Sequence, residues 1–106
     1  SLQALNELAQ QKLAVESSVE RNADEQLVRI RISNQGNSPT LSVKLTLVDG
    51  KGARILPALY SDNYLDLFPG ETRQVEIRYP ATANARPSLK IRGWNTQSRT
   101  VRVAAR

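Results

Sequence analysis

The chain contains no cysteine, no histidine and no methionine, and its aromatic residues are one Trp, three Tyr and one Phe. Without cysteine there is neither a disulfide framework nor a thiolate nucleophile. Without cysteine and histidine together, the usual zinc and copper ligand sets and histidine acid–base chemistry are excluded as well. The same absence leaves the redox compartment open, because disulfide-free domains suit cytosol and periplasm alike. Apolar runs are short. None approaches the roughly 20 residues of a bilayer-spanning helix, and no charged, apolar, small-residue leader opens the sequence, so a soluble chain with no membrane partner is expected. The residue inventory points to no cofactor and no metal.

What remains is ordinary globular material. The chain has 106 residues, 40% hydrophobic and 24% charged, which is the length of one domain with one core. Fifteen basic residues against ten acidic ones give a net charge of +5. That excess raises the question of nucleic acid. The basic residues are scattered singly, however, with no two adjacent. The usual footprint is clustered charge, so no nucleic-acid partner is expected.

The hydrophobic period is two along most of the chain. Residues 1–11 differ: Leu2, Leu5, Leu8 and Ala9 recur at helical spacing, which fits a short helix or a linker. Beyond them, Leu13, Val15 and Val19 share one parity against Lys12, Glu16, Ser18 and Glu20, the mark of a half-buried strand. After a polar turn at Arg21 to Glu25, Val28, Ile30 and Ile32 alternate with Arg29 and Arg31, until Asn34 to Pro39 break the strand. Leu41, Val43, Leu45 and Leu47 alternate with Ser42, Lys44 and Thr46. They lead into Asp49-Gly50-Lys51-Gly52, a hairpin turn from which Ala53 to Leu56 should return. Pro69-Gly70 has the chemistry of a type II turn, with Pro presetting φ and Gly supplying the positive φ. Val75, Ile77 and Tyr79 form the next strand, Leu89 and Ile91 another, and Val101 and Val103 the last. About seven short strands, with turns roughly every 8 to 12 residues and no crossover helices, predict an all-β, antiparallel sandwich. The Cys and Trp arrangement of antibody domains is missing.

The segment Leu56 to Glu71 holds Tyr60, Tyr64 and Phe68, most of the aromatic residues of the chain. Intervals of four could mark a helix. Pro57 at one end, Pro69-Gly70 at the other and the turn Ser61-Asp62-Asn63 between them favour an irregular crossing from sheet to sheet instead. On that reading Asp62 or Asn63 caps nearby backbone amides as an Asx-turn, and the aromatics plug the core with their hydroxyls tied to backbone. Asp62, Asp66 and Glu71 form the one acidic cluster. A catalytic carboxyl pair is set against turn-stabilising carboxylates here, and the latter reading is preferred because so small a domain has little concave surface to desolvate an acid.

The run Ser61-Asp62-Asn63-Tyr64 followed by Leu67-Phe68-Pro69-Gly70-Glu71 resembles the C-terminal immunoglobulin-like domain of glycoside hydrolase family 2 enzymes. The resemblance is to the group of exo-β-glucosaminidases, β-mannosidases and mannosylglycoprotein endo-β-mannosidases. The likeness extends over about residues 12 to 103 in the order of its features: a strand ending in Asn34 and Gly36, a strand ending in Asp49-Gly50, the aromatic crossing and the Pro-Gly-Glu turn. It implies an immunoglobulin-like sandwich over residues 12–106, with residues 1–11 as linker or short helix. It also implies an accessory module with no catalytic residues, whose parent glycosidase carries its paired Glu residues on a preceding barrel. The partners would be preceding domains of the same polypeptide, with a glycan as the alternative, in a secreted or periplasmic setting rather than a cytoplasmic one. Tyr60, Asp62, Asn63, Tyr64 and Trp94 are the candidates for interdomain or substrate-side contact.

Trp94, between Gly93 and Asn95, has two readings. Its flat face suits a pyranose ring; against that, Trp is highly buried on average, so filling the core or packing on a neighbouring domain is preferred. Arg29, Arg31, Arg78, Lys90 and Arg92 could form a strip facing an acidic partner. The preferred reading is a solvated face paired with Glu16, Glu20 and Glu76 across strands.

Overall fold

The computed structural model describes residues 13–81, 86–94 and 96–105. The helix or linker expected over residues 1–11, and the boundary placed after it, lie outside these residues. Among the described residues nine strands follow one another: β1 (Leu13–Asn22), β2 (Glu25–Asn34), β3 (Thr40–Val48), β4 (Leu59–Tyr60), β5 (Tyr64–Leu67), β6 (Thr72–Pro80), β7 (Ser88–Gly93), β8 (Thr96–Arg102) and β9 (Ala104–Ala105). They build a five-stranded sheet of order β4-β6-β2-β1-β9 and a four-stranded sheet of order β5-β3-β7-β8. The expected sandwich is therefore present, with two corrections. The two-residue strands β4 and β9 raise the count above seven, and β9 pairs with β1 in parallel at Ser18 and Val19.

Period-two patterning accounts for the layers. Val28, Ile30 and Ile32 of β2, Val75 and Ile77 of β6, Val43, Leu45 and Leu47 of β3, and Leu89 and Ile91 of β7 all face the gap between the sheets, each at most 1% exposed. Burying side chains of this size stabilises by about 1.5–3 kcal/mol each. The β1–β2 hairpin is paired over its whole length, from Leu13 opposite Asn34 to Asn22 opposite Glu25. Both sides of the sandwich are sewn shut by the chain. It passes from β4 in one sheet to β5 in the other through residues 61–63, and from β8 to β9 across the buried Val103. Such crossings limit the exposed edges that would otherwise invite pairing with other chains.

Two local readings change. The register of β3 shifts between Thr40 and Val43, with Ser42 at φ 53°. This bulge turns Thr40 inward, where it is 2% exposed, and moves Leu41 off the core parity expected for it. The return from the Asp49-Gly50 turn is an isolated bridge between Val48 and Arg54 and not a strand. The reason is local: the Asp49 carboxylate accepts from the amides of Lys51 (2.9 Å) and Ala53 (3.0 Å), which curls the loop and withdraws those amides from any ladder.

The end of the sandwich is organised by one buried amide. Asn34, the last residue of β2, is 2% exposed. Its Nδ2 donates to the carbonyls of Ser38 (2.8 Å) and Leu67 (2.9 Å), and its Oδ1 accepts from Gly36 N (2.9 Å). Its own backbone donates to Glu71 O and accepts from Gly70 N. One residue thus holds the loop that crosses between sheets, the end of β5 in the opposite sheet, and the Pro69-Gly70 turn. That turn is of the expected type, with Gly70 at φ +85° and Glu71 N donating to Phe68 O at 2.9 Å.

Replacing Asn34 by Ala leaves several buried backbone groups without partners and is expected to cost about 3 kcal/mol. Urea unfolding of the two proteins checks this, and a loss below about 1 kcal/mol contradicts the assigned role. A second outcome concerns pH. Burial of Tyr79, 2% exposed in β6, raises its pKa above the ordinary value of 10.0. The unfolded chain therefore releases this proton first. Tyr79 contributes stability that is complete below pH 10.0 and declines as the pH rises beyond it. Melting temperatures followed from pH 9 to about 11 should fall more steeply for the natural chain than for Tyr79→Phe.

Candidate functional site

The aromatic segment is the expected crossing between sheets, and most of its polar groups are committed to holding it. β5 pairs with β3 only as far as Lys44. Beyond that point the edge amides of β3 find other acceptors: Leu45 N donates to Asn63 O (2.9 Å) and Leu47 N to the Tyr60 hydroxyl (2.8 Å). Tyr60 therefore packs against the core from one sheet and accepts a hydrogen bond from the other, as expected of a ring plug tied to backbone. Asp62 accepts from Tyr64 N at 3.3 Å, the expected Asx-turn.

The acidic cluster follows the same rule. Asp66 Oδ1 accepts from Ser42 N (2.8 Å) and so satisfies the amide displaced by the β3 bulge. Glu71 Oε1 accepts from Phe68 N (2.8 Å) across the Pro-Gly turn, while its other oxygen lies 3.6 Å from Arg73 Nε. All three carboxylates are turn and bulge acceptors.

Tyr64 and Trp94 separate from this group. The aromatic plug reading fails for Tyr64 and Phe68, which are 57% and 54% exposed, and the core reading fails for Trp94, 80% exposed. Parity is the cause. Leu65 and Leu67 take the inward positions of β5, so Tyr64 faces out, and Trp94 continues the outward series Lys90, Arg92 beyond β7. That spacing was present in the sequence as an alternation of Lys90, Arg92 and Trp94 with Leu89, Ile91 and Gly93. Gly93 takes the inward position, where a Cβ would lie 2.6 Å from Thr96 Cγ2, and Trp94 N donates to Leu41 O (3.1 Å) beside the bulge.

The outer face of the four-stranded sheet is thereby assembled. Tyr64, Lys44 and Arg92 lie opposite one another across β5, β3 and β7. Lys44 Nζ stands 5.6 Å from the Tyr64 ring centroid, within cation–π range. With Leu41, Ser42, Gly93 and Trp94 they line a shallow depression of about 720 Å³. Lys90 and Arg54 lie alongside. The expected basic strip is thus divided between two opposite faces. On the five-stranded sheet Arg29 bridges Glu20 and Glu76, and Arg78 lies 4.0 Å from Glu25; Arg31 faces Glu16 across the ladder, but the expected pair is not within ion-pair range. On the four-stranded sheet Lys44, Arg54, Lys90 and Arg92 have no carboxylate within 4.0 Å among the described residues.

The two groups of site residues should separate in mutagenesis. Tyr60→Phe leaves Leu47 N without its acceptor and should cost about 1–3 kcal/mol, whereas Tyr64→Ala and Trp94→Ala should each stay within about 0.5 kcal/mol. Chemical denaturation of the three variants decides it; equal losses contradict the division.

Comparison with known proteins accords with this architecture. The family profile of the exo-β-D-glucosaminidase Ig-fold domain matches residues 1–96. An exo-β-D-glucosaminidase of Streptomyces avermitilis is 38% identical over 80 residues, 73% of this chain and 9% of its own length. A mannosylglycoprotein endo-β-mannosidase of Lilium longiflorum is 48% identical over 42 residues, 40% of this chain and 4% of its own. The crystal structure of the Amycolatopsis orientalis exo-chitosanase CsxA superposes with a TM-score of 0.82 at 29% identity, covering 97% of this chain and 13% of that one. The chain spans about a tenth of such relatives, and the matched part is an accessory sandwich, not the part that performs hydrolysis. On its sequence, its sheet order and these matches, the chain belongs to the exo-β-D-glucosaminidase Ig-fold domain family of glycoside hydrolase family 2.

Proposed function

We propose that the domain serves a multidomain glycoside hydrolase acting on β-glucosaminides, with β-mannosides as the alternative substrate class, by packing against and supporting its catalytic part. The observation that carries this reading is that the chain matches the Ig-fold domain family over residues 1–96 while spanning only 9% of its Streptomyces relative. The chemistry of the domain supports it. Retaining and inverting glycosidases use two carboxyl groups facing one another across a sugar, one with a raised pKa. Asp62, Asp66 and Glu71 are each engaged by backbone amides instead. Tyr60, Asp62 and Asn63 hold the crossing in shape, and Tyr64 and Trp94 are left as the contact residues. Chitosan, the polymer in the name of the Amycolatopsis enzyme, is too large to be met inside a cell, which favours a secreted or periplasmic parent.

A second reading has one observation in its favour. Trp94 at 80% exposure beside Tyr64 at 57% is the kind of aromatic pair on which an independent carbohydrate-binding module stacks a sugar.

Immunoblotting of source cells should detect a polypeptide several-fold larger than 11.8 kDa. Deleting the domain from that polypeptide should lower its melting temperature or its kcat/KM on β-glucosaminides. A native band at 11.8 kDa, or unchanged melting and kinetics after deletion, overturns the proposal.

A further inference from the structure

Resting on the reading that this domain serves a larger polypeptide, we infer that the outer face of the four-stranded sheet is its docking surface, and that the occupant is a carboxylate-bearing surface of a neighbouring domain and not the substrate. The two faces of the sandwich differ in how their charges are balanced. On the five-stranded sheet Arg29 meets Glu20 and Glu76 and Arg78 meets Glu25, while Arg31 stands across from Glu16 in the ladder without an ion pair among the described residues. Two of the three outward cations of that face are thus balanced from within the domain.

On the four-stranded sheet Lys44, Arg54, Lys90 and Arg92 converge without a carboxylate in ion-pair range among the described residues. Asp66 of β5 accepts from Ser42 N and forms no ion pair with them. Beside these cations Trp94 and Tyr64 expose large, rigid rings. Buried aromatics with arginine at the centre, and charge satisfied from the other side, are the composition of a protein interface. Complementary charge also sets the register of such contacts.

The same cations discriminate against the alternative occupant. A glucosamine unit carries an amino group that is positive when protonated. A chain of such units approaching four unneutralised cations is repelled, whereas carboxylates are attracted. The aromatic rings, read alone, would suit a sugar; the charge around them does not suit this one.

Covalent footprinting of the full-length polypeptide tests the assignment. Lys90 and Trp94 report on the proposed face, and Lys51, exposed in the hairpin loop, is the internal reference. Lys90 should be acetylated several-fold more slowly than Lys51, and Trp94 should resist oxidation. Raising the salt from about 0.1 to 1 M, which shortens the screening length from roughly 10 to 3 Å, should abolish both protections. Charge reversal by Arg92→Glu should do the same at low salt without lowering the melting temperature of the domain itself. Lys90 and Trp94 as reactive as Lys51 in the full-length polypeptide overturn the inference while leaving the accessory reading intact. Protection that appears only on addition of glucosamine oligomers, or of a nucleic acid, also overturns it. A native chain of 11.8 kDa removes the accessory reading itself.

Discussion

The sandwich depends on the buried side-chain amide of Asn34. Three segments meet at that end of the fold around one side-chain amide: the loop after β2, the end of β5 and the Pro-Gly turn before β6. The carbonyl of Leu67 is buried there and the groups of the loop are partly so, and an unpaired buried amide or carbonyl costs more than a typical hydrogen bond contributes. A single Asn solves this because it carries two N–H donors and a carbonyl in one plane, and because its own backbone still pairs with Gly70 and Glu71. An aliphatic side chain of similar size would fill the volume and satisfy none of these groups.

The same accounting explains the concentration of aromatic and acidic residues between β4 and β6. β3 is longer than β5, so its edge amides outrun their partner strand. The carbonyl of Asn63, the hydroxyl of Tyr60 and the carboxylate of Asp66 substitute for the missing strand, and Asp62 and Glu71 hold the turns that present them. A segment that looks in the sequence like a site for chemistry is therefore the device that carries the chain from one sheet to the other. Its residues are constrained by what they hold: each carboxylate already has a backbone amide to accept from.

What is left over after this accounting is one face of exposed rings and cations. Once every turn and edge has taken the polar groups it needs, Trp94, Tyr64 and four cations without a carboxylate in ion-pair range remain on one face, whereas on the opposite face Arg29 and Arg78 are paired within the domain. Free energy of folding is indifferent to those residues, since exposed side chains of this kind contribute little to stability.

The period-two alternation of Val28, Ile30 and Ile32, of Val43, Leu45 and Leu47, and of Leu89 and Ile91 determined by itself that the chain is built of strands with one buried face, because successive side chains of a pleated strand point to opposite sides. The turn residues Pro69-Gly70 and Asp49-Gly50, and the Ser-Asp-Asn crossing with its Asx-turn, were likewise legible, since their backbone chemistry is local. Only the tertiary structure decided the rest. That Thr40 and not Leu41 enters the core follows from a bulge whose amide is held by Asp66, twenty-four residues away. That Arg29 is neutralised while Arg92 is not follows from which strands lie side by side in each sheet. Local periodicity sets which side of its strand a residue occupies. Which charges and rings share a face is a property of strand order, and strand order is fixed by contacts distant in sequence.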